Sequence, residues 1–405
     1  MDLITKPRVA LVTPYGPILH EDGPKNGATV RTTLFAKELA ARGWEVTILS
    51  FGEVLGPNQL HRDGVTEITC VAPWTGALQL ASRAWARFRR KSHAGRELLA
   101  VFDAPARPLD GASQAALRTA HVVHVDFPWL MPTIARALQG STPIAMTCHN
   151  VEHDRYAQIA HNAAPAPARL LWDAVLARRF EAFERAQARN ADGLICVTEQ
   201  DAARFAGERR GHSPIVVSPN PVRPRLAPLT DEPRDARAIF VGSALQPNVD
   251  AAYFLCSTLA PALPEVQFTI VGGCGLSLAG TPSNVTISGV VDDVSLQRLY
   301  DAHRVAIIPL TTGSGSSTKT IEALAHGLPV VTTATGARGL PSAAEAIHVV
   351  RSLPDLTDAL ARAISQPWTL DHARAAQSVA RGYHPERVFA DVDALLHELA
   401  HRAKG

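Results

Sequence analysis

The residues best suited to chemistry lie in the stretch TTGSGSSTKTIEALAH, Thr311 to His326. Gly313 and Gly315 let backbone approach a ligand closely. Ser314, Ser316, Ser317 and Thr318 lead into a helix expected over Ser317–His326, stopped by Gly327 and Pro329. Free amides at a helix start make an anion site. Ile321, Leu324 and Ala325 form the apolar side of this helix, while Lys319, Glu322 and His326 share the other at spacings of three and four. Lys319 in the first turn opposes the helix dipole, an objection that a bound phosphate removes. Glu322, one turn further in, suits hydrogen bonding to a sugar diol such as ribose. The bland reading is a surface Lys–Glu pair after a polar loop, and the helix by itself does not decide between them.

Gly313…Lys319-Thr320 nearly matches GxxxxGK[ST]. Thr318 stands where the second Gly belongs, and no hydrophobic strand ending in Asp follows, so the P-loop reading is rejected. A second group, His149, Asn150 and Glu152 in CHNVEHDRY, follows an apolar run, and Asp126 ends another, HVVHVD. Glu152 and Asp126 are the carboxylates that could meet an acceptor hydroxyl, and either could be only structural. His149 alone reads as a strand-end histidine satisfied by hydrogen bonds; beside Asn150 and Glu152 it reads as part of a site. No Asp-x-Asp marks a strand-end metal site: DVDALL near the C-terminus has a helical pattern, and Asp292-Asp293 reads as a solvated turn. No metal is expected.

Positioning these residues takes alternating strands and helices. Val9–Thr13 leads through a loop into a helical pattern over Thr29–Ala41; Gly43 stops it and Glu45–Leu49 reads as the next strand. Thr66–Val71, His121–Val125, Ile144–Thr147 and Gly193–Val197 continue the series. A second one runs through Ala238–Val241, Phe268–Val271, Val285–Ile287, Val305–Pro309, Val330–Thr333 and Ile347–Val350. The pattern predicts α/β architecture: two Rossmann-like domains with parallel sheets. Between them SPNPVRPRLAPLTDEPRDA is Pro-rich and charged, the signature of a linker. Domains are expected over 1–222 and 237–382, joined by 223–236, with a C-terminal helix in 383–405 packing back on the first domain. Ligands in such folds sit at the carboxyl ends of strands, here in a cleft between the domains.

With 405 residues, 46% hydrophobic and 19% charged, the chain suits two globular domains. A net charge of +2 provides no global field for nucleic acid. The five cysteines stand singly without CxxC, as expected of reduced, mostly buried thiols in a cytoplasmic protein. No apolar run is long enough for a signal peptide or a membrane span. Ala81–Arg96, ASRAWARFRRKSHAGR, is basic and carries Trp85 and Phe88. It reads either as a solvated helix with two buried aromatics, the preferred reading, or as a peripheral contact with the inner face of the cell membrane.

VAIIPLTTGSGSSTKTIEALAHGLPVVTTATGARGL, over Val305–Leu340, resembles the donor-site stretch of the retaining glycosyltransferases of family 4, which have the GT-B fold. IFVGSALQPNVDAAYFL is similar to the opening of that family's C-terminal domain, and NVTISGVVDDVSLQRLYDAH to the segment that packs on the nucleobase. NGATVRTTLFAKELAARGWEVTILS resembles its N-terminal strand–helix start, CHNVEHDRY its acceptor-side HN-x-E stretch, and GLICVTEQDAARF with VSPNPV the run into the interdomain linker. The ordered matches cover most of the chain.

The resemblance implies an acceptor-binding first domain, a second domain that binds a nucleoside diphosphate sugar, and no cofactor beyond that co-substrate. Lys319 would contact the diphosphate, Glu322 the ribose, and Gly313–Thr318 would offer amides to phosphate and sugar. The loop around Val290 and Val291 would face the base, Ser243 would also lie on the donor side, and Gly27 would let the N-terminal loop approach the donor. His149 would lie beside the transferred sugar, with Asn150 and Glu152, and Asp126 nearby, on the acceptor side. The chain departs from the pattern at Ser314, where the family often carries a first Glu, and at Ser243 and Asn248, where it often has a basic pair. Lys319 and the amides then carry the diphosphate charge, with Arg338 placed beside them. The function implied is sugar transfer, with retention, from a UDP- or GDP-sugar to a glycan, lipid-linked or small-molecule acceptor. A non-catalytic nucleotide-sugar-binding relative and a sugar-nucleotide epimerase are the alternatives.

Overall fold

The apolar, β-branched runs form strands in two sheets, one in each of the units into which the chain divides. The computed structural model describes residues 6–21, 27–52, 58–71, 109–155, 157, 177–208, 213–222, 229, 234–313, 315–341 and 344–402. The basic segment Ala81–Arg96 and Ser314 lie outside them. One unit is Met1–Ser218 with Phe389–Gly405, the other Pro219–Val388.

In the first unit the strands are β1 (Arg8–Thr13), β2 (Glu45–Gly52), β3 (Gln59–Arg62), β4 (Val65–Val71), β5 (Val122–Asp126), β6 (Ile144–Cys148), β7 (Gly193–Cys196) and β8 (Ile215–Val217). Their order is β3-β4-β2-β1-β5-β6-β7-β8, parallel throughout except for β3, which pairs antiparallel with β4. β1, β5, β6 and β7 are buried almost along their length, as strands covered on both faces must be. Helix Gly27–Ala41 turns Phe35, Ala36 and Leu39 inward. Helix Ala390–Arg402 belongs to this unit and buries Val392, Leu395, Leu396 and Leu399. Leu395 comes so near β7 that a Cβ on Gly193 would meet it at 3.0 Å.

In the second unit β9 (Arg237–Val241), β10 (Gln267–Val271), β11 (Val285–Gly289), β12 (Val305–Ile308), β13 (Val330–Thr333) and β14 (Ile347–Val350) form a parallel sheet of order β11-β10-β9-β12-β13-β14. This is the order of a doubly wound nucleotide-binding sheet, and the direction of winding reverses between β9 and β12. Arg234, expected in the linker, is buried in this unit: it donates to the carbonyls of Tyr300, His303 and His326 and stacks over Trp368. A guanidinium with three carbonyl acceptors and an aromatic face is held in place, so the fixed structure begins before β9. Among the described residues no helix is long and apolar enough to cross a membrane.

Candidate functional site

In the second unit Ser243 follows the carboxyl end of β9, and Gly313 and residues 315–322 follow that of β12, at the switch point, while Val291 follows β11. After β9 come Gly242 and the exposed Ser243; after β12 the chain runs through Gly313 and Gly315 into helix Thr318–Ala325. Gly315 has φ +72°, a conformation that favours glycine. The Ser316 hydroxyl accepts the Asn220 amide at 2.7 Å, and the Ser317 amide donates to the Arg338 carbonyl at 3.2 Å. These two bonds fix the loop; the Ser317 amide is engaged within the fold, while the Ser316 hydroxyl, having accepted, keeps its own hydrogen. The Thr320 hydroxyl ties the first turn to the Gly336 carbonyl at 2.7 Å. The first-turn amides of this helix have no intrahelical acceptors.

Ile321, Leu324 and Ala325 are buried, whereas Lys319, Glu322 and His326 are part-buried on the other side, as the periodicity predicts. Lys319 lines a small cavity with Ile239, Val241, Tyr300, Ala306, Ile308 and Ala323. Burial lowers the Lys319 ammonium from its ordinary value, with the Glu322 charge opposing. Burial likewise raises the Glu322 carboxyl, opposed by Lys319 and His326. Among the described residues no carboxylate lies within ion-pair distance of Lys319. The ring of His326 stacks on buried Tyr300 at 4.5 Å. After β11, Val290 is 77% exposed and Val291 part-exposed. Asp292 is no mere turn residue: it caps helix Asp293–Ala302 by accepting the Ser295 amide at 2.8 Å.

In the first unit the switch point falls between β1 and β5. Asp126 ends β5, and His149 and Asn150 follow β6. His149 Nε2 lies 3.0 Å from Asp126 Oδ1, while Asp126 Oδ2 accepts the Thr32 hydroxyl at 2.7 Å. Burial would raise the Asp126 carboxyl, but the charge and hydrogen bond of His149, with His124 and Thr32, bring it down to about 2. Phe127, at φ +77°, stacks on His149 at 4.4 Å and on Trp129 at 4.5 Å. A bulky residue is strained in that conformation, and the two stacks hold it there. Glu152 is fully buried and accepts Asn150 Nδ2 at 2.8 Å and Arg155 at 2.9 Å. Both carboxylates named in the sequence are thus bonded within the fold. Gly27 opens its helix, and a Cβ there would meet nothing within 4 Å, so this unit itself does not require glycine at that position.

Glu184 escaped the sequence reading. It is buried in helix Ala177–Asn190 and accepts the amides of Glu152 and His153 at 2.7 and 3.2 Å, fixing the turn that carries Asn150 and Glu152. Its alignment with Phe180, Gln187 and Ala188 on one helix face was the available signal. Burial pushes its carboxyl up to about 8 against those two amides. A carboxyl raised this way contributes stability below about pH 4.5 that is lost as pH rises toward about 8. Chemical unfolding of Glu184→Gln at several pH values should show the variant gaining on the wild-type protein between pH 5 and 8. A constant difference would mean that Glu184 keeps one charge state throughout.

Comparison with known proteins adds two family models: a glycosyl transferase 4-like domain over residues 26–221 and glycosyl transferases group 1 over residues 235–368. The chain is similar to sucrose-phosphate synthase from Thermosynechococcus elongatus, with 17% identity and TM-score 0.66 over 98% of this chain and all of that one. It is similar to Anabaena HepE in complex with UDP and glucose, with 13% identity and TM-score 0.63 over 96% and 99%. WaaG, a glycosyltransferase involved in lipopolysaccharide biosynthesis, matches with 17% identity and TM-score 0.52 over 98% and 100%. A comparison with curated proteins gave no match.

Proposed function

The chain belongs to the GT-B glycosyltransferases, two of whose family models between them span most of it, and from that premise we propose that it transfers a hexose-type sugar from a nucleoside diphosphate donor with retention. The observation that carries this reading is the pairing of Lys319 and Glu322 in the first turns of a helix that follows a Gly/Ser loop at the switch point of the second sheet. Lys319 and the first-turn amides would hold the diphosphate, and Glu322 the ribose. Oriented amides and a cation stabilise the charge growing on a leaving diphosphate, so no metal is required in the proposal. HepE was solved with UDP and glucose, which supports a nucleotide sugar as donor.

The hydrogen bonds of Asp126 and Glu152 bear on the mechanism. Each oxygen of both carboxylates already has a partner. The leaving phosphate oxygen is then the better proton acceptor for the incoming hydroxyl, which attacks from the face the phosphate leaves and so retains configuration. His149, held by Asp126 and stacked on Phe127, would serve by position beside the sugar. Acceptors in this proposal are a glycan, a lipid-linked saccharide or a small molecule.

UDP- and GDP-sugars should be screened by thermal shift, since a ligand that binds the folded chain raises its apparent stability. One donor is expected to raise Tm, to lose that effect in Glu322→Ala, and to release nucleoside diphosphate only when an acceptor is added. Conversion of the donor without acceptor would favour an epimerase, and binding without release across an acceptor panel a non-catalytic protein. The anomeric configuration of the product, read by NMR, tests retention.

A further inference from the structure

The loop after β9 fixes a serine hydroxyl in one sense. Asn248, in the first turn of helix Gln246–Phe254, is buried, and its Nδ2 lies 3.2 Å from the Ser243 carbonyl oxygen and 3.0 Å from Ser243 Oγ. A carbonyl oxygen can only accept, so the atom facing it must be the amide nitrogen and not Oδ1. That nitrogen also donates to the hydroxyl. Ser243 Oγ, having accepted there, retains its own hydrogen for an outside acceptor, and Ser243 is exposed.

The loop has little freedom to give this up. A Cβ on Gly242 would meet Asn248 Cβ at 2.9 Å and Cys274 Sγ at 3.0 Å. Gly272, at φ +96°, lies so close that its Cβ would stand 2.3 Å from the Gly242 carbonyl oxygen. Lys319 lines its cavity against Val241, two residues before Ser243, and its charge reaches Cys274. A free hydroxyl hydrogen and a cation therefore serve the same end of the sheet, where the winding reverses.

We propose that Ser243 donates a hydrogen bond to the diphosphate of the donor and that Asn248 is the positioning residue which aims it. The proposal rests on the donor reading above. It accounts for a diphosphate site without a basic pair on this loop: a neutral donor is aimed by a buried amide, and the charge is left to Lys319. Asn248 acts through Ser243, so its worth to the ligand disappears when the hydroxyl is removed.

Calorimetric titration of the full chain with UDP, GDP, inorganic pyrophosphate and the corresponding nucleosides tests this, using Ser243→Ala, Asn248→Ala and the double variant. Loss of one hydrogen bond to a charged group should weaken the bound nucleoside diphosphate and pyrophosphate about tenfold in Ser243→Ala, or ~1.4 kcal/mol. Asn248→Ala should weaken them to a similar degree, and the double variant no further than either single one. Nucleoside affinity should not change. Ser243 is exposed, so its variant keeps the test open even if Asn248→Ala folds poorly. The proposal is overturned if Ser243→Ala binds both phosphates as the wild type does, if the two losses add, or if nucleoside affinity falls equally. Wild-type protein that binds neither UDP nor GDP would remove the donor reading itself, and this proposal with it.

Discussion

Replacing Lys319 by methionine should lower kcat/KM by about 10²–10³ while leaving the folded chain as stable as before or more so. The side chain keeps its length and its place against Ile239, Val241 and Ile308, so packing changes little. What disappears is a part-buried cation beside the phosphate site. Removing one preorganised group that meets developing negative charge typically costs about 3–4 kcal/mol of transition-state stabilisation. Stability should not follow activity down. The ammonium has no ion-pair partner within reach among the described residues, and burial already lowers its proton affinity. Arginine should not rescue the variant, because a planar guanidinium does not fit a small cavity shaped for a linear chain. Steady-state kinetics with thermal melts on the same preparations decide the matter. Equal activity in Lys319→Met would place the diphosphate elsewhere.

The pH profile carries the same assignment. Glu322 must be ionised to accept from a ribose diol, and its carboxyl is raised, so the acid limb of kcat/KM should lie above the ordinary carboxylate range. Lys319 must be charged and its ammonium is lowered, so the alkaline limb should lie below the ordinary lysine range. In Lys319→Met the alkaline limb should disappear. The Glu322 limb should move further up, because the cation that opposed its burial is gone.

Most strands were legible because parallel strands covered on both faces read as short apolar runs, and Val305–Ile308 is such a run. Strand β3 was not. Gln59–Arg62 is almost wholly exposed and pairs only at the sheet edge, where no buried face demands apolar residues. The same limit applied to sites. Lys319 and Glu322 lie one turn apart, so their shared face follows from helical spacing. The bond of Asp126 to His149 depends on β5 and β6 being neighbours, and that of Glu184 to Glu152 spans 32 positions. Spacing along the chain says nothing of either. The cap at Asp292 was within reach, since Asp immediately before a helical pattern is a start signal. Ser243 is placed on the donor side by sequence alone, but its bond to Asn248, five residues on across a loop, is not legible there.

Removing the carboxylate of Asp126 should be the most damaging single change in the first unit. Asp126→Ala is expected to cost about 2–5 kcal/mol of stability, because the buried His149 ring and the Thr32 hydroxyl both lose their acceptor. The Asp126 charge also acts on buried Arg31, which burial brings down to about 10 against it. Asp126→Asn preserves shape and isolates the charge, so pH separates the two. Folded Asp126 is near 2 and an unfolded aspartate near about 3.9, so its contribution is present above pH 4 and lost as pH falls toward about 2. His124 adds an earlier phase. Burial brings it down to about 4 and its Nδ1 has no partner among the described residues, so the unfolded chain takes up that proton first and stability falls from about pH 6.5 to about 4. Glu184 takes up a proton on folding over much of that range and offsets the His124 phase, so urea unfolding should show the two acid phases in a Glu184→Gln background, where the Asp126 comparison is made. Asp126→Asn should lose the lower phase and keep the upper. If both proteins follow the same slope below pH 4, the buried cluster does not depend on the Asp126 charge for its stability.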